Sequence, residues 1–520
     1  MFACIFAFPT LGRSQPLTNA GTDFMLIFMQ NDEANYDVSS SALLDIFLLS
    51  TGDSATVTIT CKGNLSFNQV IHLDSNGSFV YRPGNGGTMN TNQVIDSTVF
   101  HITSTTPIIC YGFSNKAFTA DGFLALPRSN ETTEYRILSY PNSTLVGQEK
   151  PSEFAFASFD DNNTVTITPT SQTRNGSPRG TPFQFILNVG EGVQIQTLPT
   201  TPGSDLTGSI VKSTKPIAVY SGHSRTEVPS GYIYPDGGGA TSRDHIADAM
   251  PPVSTWGRFF VAKNTNRPTG DLVRILVSKD NTIIKINGIV WGPPLNGGEF
   301  RDTIIMKAIA IETSHPALVG LIGHSAASES VLTGDPFLAI IPPLEQSLND
   351  SRYFIPSETG FDPFQQFLIV VTEQTGKGKI AIDGSLIPSS VFADLATPLN
   401  GKNYSVATIS QTAGAHHITS SNTSDNGFTA IVFGFGDVIG YGYSAGTGLK
   451  PLFDNAVAIS GMAPFATLEN FPNPVMGKTT ITFNIPARAY ASVKIYDALG
   501  RVVRVVSQGM ESEGVHSIEI

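Results

Sequence analysis

The chain has 520 residues, 40% hydrophobic and only 14% charged, with 49 glycines, 33 prolines and a net charge of −12. Abundant Gly, Pro, Ser, Thr and Asn, with few Lys-, Glu- or Leu-rich stretches, exclude a mainly helical protein and point to turn-rich β structure. The acidic balance leaves no basic footprint for nucleic acid and repels an anionic membrane surface.

The chain opens MFACIFAFPTLGRSQP, a short apolar run followed by Gly12-Arg13-Ser14. Small residues at Gly12 and Ser14 suit signal-peptidase cleavage after Ser14, so residues 1–20 read as a partial signal peptide. A disordered or first-strand terminus is the alternative. No uncharged apolar run approaches the roughly 20 residues of a spanning helix, so no transmembrane segment is expected. Cys4 falls in the leader. Cys61 and Cys110 are too few for a disulfide scaffold. Export permits them to pair, but the corresponding positions elsewhere hold Pro, Gly or Val, so the fold does not require the bond.

Three landmarks then recur four times in one order. TDFMLIFMQN, TEYRILSYPN, GRFFVAKNTN and SRYFIPSETG open each copy; DSATVTITC, DNNTVTITP, KDNTIIKING and GKGKIAIDG follow. STTPIICYGF, STKPIAVYSGH, SHPALVGLIGH and GFTAIVFGFG come last. Their spacing gives four tandem repeats of about 105 residues, at 21–131, 132–255, 256–350 and 351–450. Short alternating runs bounded by Asn, Asp, Gly and Ser predict strands, and strands with one hidden face predict a β-sandwich in each repeat. The fold class is therefore all-β, tandem sandwich-like repeats plus a small C-terminal β-sandwich.

Between copies, ADGFLALP, RDHIADAMPP and GDPFLAIIPP fill one slot. Asp121, Asp244 and Asp335 there suit N-caps of a short helical turn that the prolines stop, which would make the repeats a rigid stalk. The order of LDIFLLS, TTPIICYGFSN, ADGFLALP, EFAFASFDDNNTVTI, DLTGS, PPVSTWG and GDPFLAIIPP resembles the N-terminal domain family of IgGFc-binding proteins. The resemblance runs over about residues 21–350 and implies an extracellular protein that binds a glycoprotein, glycan or protein. It assigns no residue to antibody binding.

After a linker at 451–466 the chain reads NFPNPVMGKTTITF. Pro472 and Pro474 fix φ and remove donors on either side of Asn473, which predicts a rigid hinge outside any sheet. TTITFNIP, ASVKIYDALG, RVVRVVSQG and GVHSIEI follow as short strands over 467–520. Pro472, Asn473, Pro474, Gly477, Tyr496, Asp497, Gly500 and Gly514 carry a resemblance to the type A C-terminal sorting domain of the Bacteroidota type IX secretion system. That resemblance implies export by the type IX machinery to the medium or the outer cell surface. Members of that family usually continue with a further hairpin, so the unit reads as truncated at Ile520.

Chemistry-bearing motifs are scarce. H-E-x-x-H, paired C-x-x-C, G-x-S-x-G and a phosphate-binding glycine loop do not occur, and no cofactor or metal is expected. His223 with His324, and His101 with His417, are explained by repeat position, and Asp160-Asp161 by a turn. Asp121, Asp244 and Asp335 are the remaining candidates for calcium, though no oxygen donors cluster around them at ligand spacing. The longest irregular insertion, GYIYPDGGGATSRDH, is a candidate binding loop through Tyr232, Tyr234, Asp236 and Arg243. Asp53-Ser54-Ala55, Asp96-Ser97-Thr98 and Asp302-Thr303-Ile304 resemble the O-glycosylation sequon of exported Bacteroidota proteins. A secreted binding or adhesion protein, not an enzyme, is the leading expectation; a secreted hydrolase with a site assembled across repeats is the alternative.

Overall fold

A computed structural model describes residues 18–452 and 466–519, except 33–42, 85, 117, 129–132, 145–149, 232–241, 326–333, 358–364, 422–426, 437–438, 477, 486–488, 497–501 and 512–513. The chain forms two compact units, Met1–Phe453 and Asp454–Ile520.

The first repeat contains β1 (Gly21–Leu26), β2 (Leu43–Ser50), β3 (Ala55–Thr60), β4 (Gln69–Leu73), β5 (Ser78–Tyr81), β6 (Phe100–Lys116) and β7 (Thr119–Leu124). Strand β6 belongs to two sheets. Its first half pairs with β1 and β3, and its second half pairs with β2 and β7. An outer sheet β1-β6-β3-β4 thus faces an inner sheet β7-β6-β2-β5. Pro107 sits where β6 leaves one sheet for the other, the place where a missing donor is tolerated.

The second repeat repeats this with β8 (Glu134–Arg136), β9 (Ser152–Ser158), β10 (Asn163–Thr168), β11 (Phe183–Leu187), β12 (Gly192–Gln196), β13 (Ile210–Ser213), β14 (Ile217–Thr226) and β15 (Asp244–Ala249). Here the long strand is interrupted before Ile217, and its halves β13 and β14 each serve one sheet. The third has β16 (Gly257–Ala262), β17 (Asp271–Val277), β18 (Ile284–Ile286), β19 (Ile289–Val290), β20 (Phe300–Ile305), β21 (Ile309–Ile322) and β22 (Leu338–Ile340). The fourth has β23 (Asp350–Ile355), β24 (Gln365–Glu373), β25 (Ile380–Ile382), β26 (Ser385–Leu386), β27 (Ala393–Asp394), β28 (Tyr404–Ser410), β29 (Gly414–Ser420), β30 (Phe428–Gly436) and β31 (Ile439–Ser444). Sheet order matches in all four, with β27 added at one edge of the last.

Outer strands such as β3 and β10 alternate buried and half-buried residues, as period two predicts, whereas β9 and β17 are buried along their whole length. The cause is packing on both faces. In β9, Phe154 and Phe156 enter the second repeat's own core, while Ala155 and Ala157 pack on the first repeat. Core clusters are shared in this way by repeats one and two, two and three, three and four, and four and one. At the last boundary Phe47 stacks on Phe354, ring centroids 4.1 Å apart. The four repeats therefore close into a ring rather than the extended stalk expected from the sequence. The ends of this body meet: Thr18 forms an antiparallel bridge with Gly448, and the Asn19 N–H donates to Thr447 O at 3.0 Å.

The segments expected as capped helical turns are strands. ADGFL, DHIADA and LAI form β7, β15 and β22, and these pack with β31 around the ring's axis. Short 3-10 turns do follow two of them, at Val253–Thr255 and Leu344–Gln346, but the preceding residues are Pro252 and Pro343, which supply no side-chain cap. Cys61 follows β3 and Cys110 lies within β6; both are buried free thiols, so they do not pair.

The C-terminal unit is a three-stranded sheet, β32 (Ala466–Met476), β33 (Lys478–Ile485) and β36 (Gly514–Glu519), with a hairpin of β34 (Ala489–Tyr496) and β35 (Val502–Glu511). Pro472-Asn473-Pro474 lies inside β32, correcting the expectation of a hinge outside any sheet. Pairing with β33 skips from Phe471 to Met476, so the prolines occupy a bulge where no ladder donor is needed.

Candidate functional site

All four axial strands run in the same direction. Strands β2, β9, β17 and β24 begin opposite the ends of their long partners: Leu43 pairs with Asn115, Ser152 with His223, Leu272 with Ile322 and Gln365 with Phe435. The starts of these strands and of the axial strands therefore lie at one face of the ring. The opposite face carries Pro127, Pro251, Pro342 and the meeting chain ends.

Inside the axis the structure gathers Asp121, Asp244 and Asp335, the three carboxylates singled out by sequence, and adds Asp248, which sequence reasoning missed. All four are at most 2% exposed. The carboxylate of Asp121 accepts backbone N–H groups from each repeat: Gly122 at 2.8 Å, Ala247 at 2.9 Å, Leu338 at 3.0 Å and Gly442 at 3.0 Å. Asp244 accepts from Ala120 and Gly440, at 2.5 and 2.9 Å. Asp248 accepts from Ala249 and Ile340, both at 2.8 Å. Asp335 accepts from the Ser242 hydroxyl. Such close approach requires glycine: a Cβ on Gly440 would meet the Asp335 carbonyl, and one on Gly442 the Phe337 ring.

Burial pushes the Asp121 and Asp244 carboxyls well above the usual range, the neighbouring Asp335 adds to this at Asp244, and the amide donors oppose it. Burial raises Asp248 to about 8. These carboxylates are held by fixed backbone dipoles and sealed from solvent, an arrangement that locks strands together. No group of three or more His, Cys, Asp or Glu side chains suited to a metal ion occurs among the described residues.

Charged side chains also fasten the repeat boundaries. Asp32 of the first repeat pairs with Lys150 and Arg225 of the second, at 2.6 and 3.0 Å. Beside them His223 and His245 are fully enclosed, and burial depresses them to about 3 and about 4. Between the second and third repeats the buried Arg274 bonds Asp205, Thr207 Oγ1 and the Ser139 carbonyl, and forks onto Asp302. Its guanidinium lies over Phe300, 4.0 Å from the ring centroid. DLTGS is thus an interface clasp through Asp205 and Thr207. PPVSTWG forms a 3-10 turn ending at the buried Trp256, whose indole N–H donates to Pro251 O at 3.0 Å.

The candidate binding loop is divided. Tyr232, Tyr234 and Asp236 lie outside the described residues, whereas Arg243 is buried at the base of β15, its carbonyl accepting from Arg225 Nε. His101 and His417 occupy equivalent places, each bonded to an aspartate at its repeat's first strand, Asp23 and Asp350. Asp160 binds Arg128, and Asp161 accepts from the Val189 N–H. At the proposed sequons Ser54 is exposed, while Ser97 and Thr303 are half-buried. Of the sorting residues, Pro472, Asn473 and Pro474 lie in β32, Tyr496 ends β34 and Gly514 begins β36. Gly477, Asp497 and Gly500 lie outside the described residues.

Comparison with known proteins returned two families. Residues 121–434 match the IgGFc binding protein family, and residues 469–520 match the secretion system C-terminal sorting domain. The family match opens at Asp121, on the last strand of the first repeat. The human IgGFc-binding protein is 25% identical over 467 residues, which cover 86% of this chain but only 8% of that protein. Trypsin-activated alpha-2-macroglobulin from Escherichia coli aligns with 96% of this chain and 47% of its own at 7% identity, with a TM-score of 0.12.

Proposed function

The chain belongs to the IgGFc-binding protein family, and from that premise we propose that it is an extracellular adhesion protein whose ring offers its loop-bearing face to a glycoprotein or glycan. Its C-terminal unit is a sorting domain for type IX secretion, so the protein is exported to the medium or cell surface. The observation that supports the proposal is that the strands flanking the longest connections begin at one face, while the axial carboxylates and the family's distinctive motifs are taken up by contacts between repeats. Loops on a rigid sandwich scaffold are where recognition concentrates. Tyr232, Tyr234 and Asp236 are proposed as contacts on this face, with the buried Arg243 anchoring the loop's return.

The test is to probe the secreted protein against glycan arrays, mucins and antibody constant regions, alongside esterase, glycosidase and peptidase substrates. Saturable binding that falls at least tenfold in Tyr232→Ala/Tyr234→Ala/Asp236→Ala supports the proposal. Turnover of a substrate without saturable binding overturns it in favour of a hydrolase.

A further inference from the structure

Each repeat closes its outer sheet with an equivalent edge strand, β4, β11, β19 or β26. Shortness, charge or proline ordinarily guards such an edge, because a bare row of N–H and C=O groups recruits another strand. Strands β19 and β26 are only two residues long. Strand β4 already buries its apolar Ile71 and Leu73. Strand β11 has none of these guards. Its five residues, FQFIL, carry no charge and pair with β10 without a bulge. Phe183 and Phe185 are half-buried, and Ile186 is 61% exposed.

The ladder shows which backbone groups are free. Thr164 O accepts the Thr214 N–H at 3.0 Å, and the Thr164 N–H donates to Thr214 Oγ1 at 3.0 Å, so Thr164 and Thr166 turn their groups toward β13. Asn163, Val165 and Ile167 therefore serve β11, opposite Leu187, Phe185 and Phe183. The N–H and C=O of Gln184 and Ile186 point outward from the sheet edge, and they have no partner among the described residues.

We propose that β11 pairs antiparallel with β11 of a second copy of this chain, about a two-fold axis at Phe185. In that register Gln184 faces Ile186 of the second copy, and each such pair exchanges two N–H···O bonds. All the outward groups of both residues are then satisfied, the self-complementarity that an isologous contact requires. The two Phe185 rings meet at the axis, and each Ile186 is covered by the facing Gln184. Charge follows the same symmetry. The exposed Arg179 precedes the strand, while Asp161 and Glu191 hold the turn beyond its end by accepting the Val189 and Asn188 N–H groups. Antiparallel pairing brings the basic end of each strand beside the acidic end of the other. Two four-stranded sheets become one continuous sheet.

A pair of five-residue strands buries less than the roughly 1,000 Å² of a stable interface, so a dimer that exchanges in the micromolar range is expected. Sedimentation of the full-length protein across that range should show monomer giving way to dimer. Ile186→Lys and Gln184→Pro should each weaken association at least tenfold: lysine sets a charge in the seam, and proline removes an outward N–H while leaving the bonds to β10 intact. Val70→Lys, on β4, should leave association unchanged. A mixture of Gln184→Cys and Ile186→Cys chains should form disulfide-linked dimers on mild oxidation, because these positions face each other within bonding reach, and neither variant alone should do so. A protein that stays monomeric, a dimer that survives Ile186→Lys, or a mixture that does not cross-link would overturn the proposal. Open-ended growth abolished by Val70→Lys would mean pairing of β11 with β4 and would also overturn it. If Gln184→Pro fails to fold, the exposed Ile186→Lys and the cross-linked mixture decide.

Discussion

Asp121 and Gly442, 321 residues apart in the chain, are joined by a 3.0 Å hydrogen bond from the glycine N–H to the aspartate carboxylate. The same carboxylate binds the second and third repeats, so one side chain spans all the repeats. Asp121→Ala would leave buried donors without an acceptor, each costing about 1–3 kcal/mol. A loss of at least about 3 kcal/mol in denaturant unfolding is expected. Asp121→Asn keeps one oxygen but turns an NH2 toward amide donors, and should also destabilise. Stability within about 0.5 kcal/mol of wild type in both variants would contradict the axial-lock assignment.

Because each core cluster is shared by two repeats, the ring should unfold as one unit. Thermal and chemical transitions followed by fluorescence and circular dichroism should coincide for the four-repeat body. Deleting residues 351–450 would uncover the walls that Phe433 and Phe354 supply to the third and first repeats. That variant should bind apolar dye and aggregate. A well-folded, monomeric three-repeat protein would show that closure is dispensable.

The Arg274 clasp gives a sharper mutational contrast. Arg274→Ala strands the carboxylates of Asp205 and Asp302, and breaking such a pair costs about 3–5 kcal/mol when fully buried. Asp302 is 32% exposed, so about 2–3 kcal/mol is expected after solvent screening. Arg274→Lys keeps the charge but loses the fork and the stacking on Phe300, and should recover less than half. Full recovery by lysine would mean that charge alone matters.

Two sets of buried groups impose opposite pH dependences. The folded value of Asp248, about 8, lies above its ordinary 3.8. Its favourable share is complete below about 4 and is lost as pH rises toward 8. His223 and His245, depressed to about 3 and about 4, contribute fully above 6.5 and lose that share as pH falls toward 3. Asp248→Asn should flatten the decline between pH 5 and 8, and His223→Gln should flatten the acid limb. Chemical denaturation from about pH 3 to about pH 8 reads both slopes; unchanged slopes would refute the assignment.

Strand content and the fourfold repetition were legible because the outer strands face water on one side, as TVTIT in β10 does. The ring was not read, although FAFA in β9 encodes it. Large residues turn to the repeat's own core and small ones to its neighbour, a two-sided pattern easily mistaken for ordinary alternation. Asp121 looked like a helix cap because Asp before an apolar run ending in proline is a local cap signature. Beyond the adjacent Gly122, its donors stand 126, 217 and 321 residues away, outside any local pattern. The family's distinctive pieces were recognised, but their work at repeat boundaries becomes visible only when Asp205 and Trp256 are placed in three dimensions.

The bridge between Thr18 and Gly448 makes the first unit topologically portable. A body whose entry and exit touch can be set into a longer polypeptide almost anywhere, since the host chain need only part by the width of one strand pair. Several such bodies in series would hang from a common thread by the same side, each turning its opposite side outward. Cutting the circle elsewhere and sewing Thr18 to Gly448 with a short connector should leave the interior undisturbed.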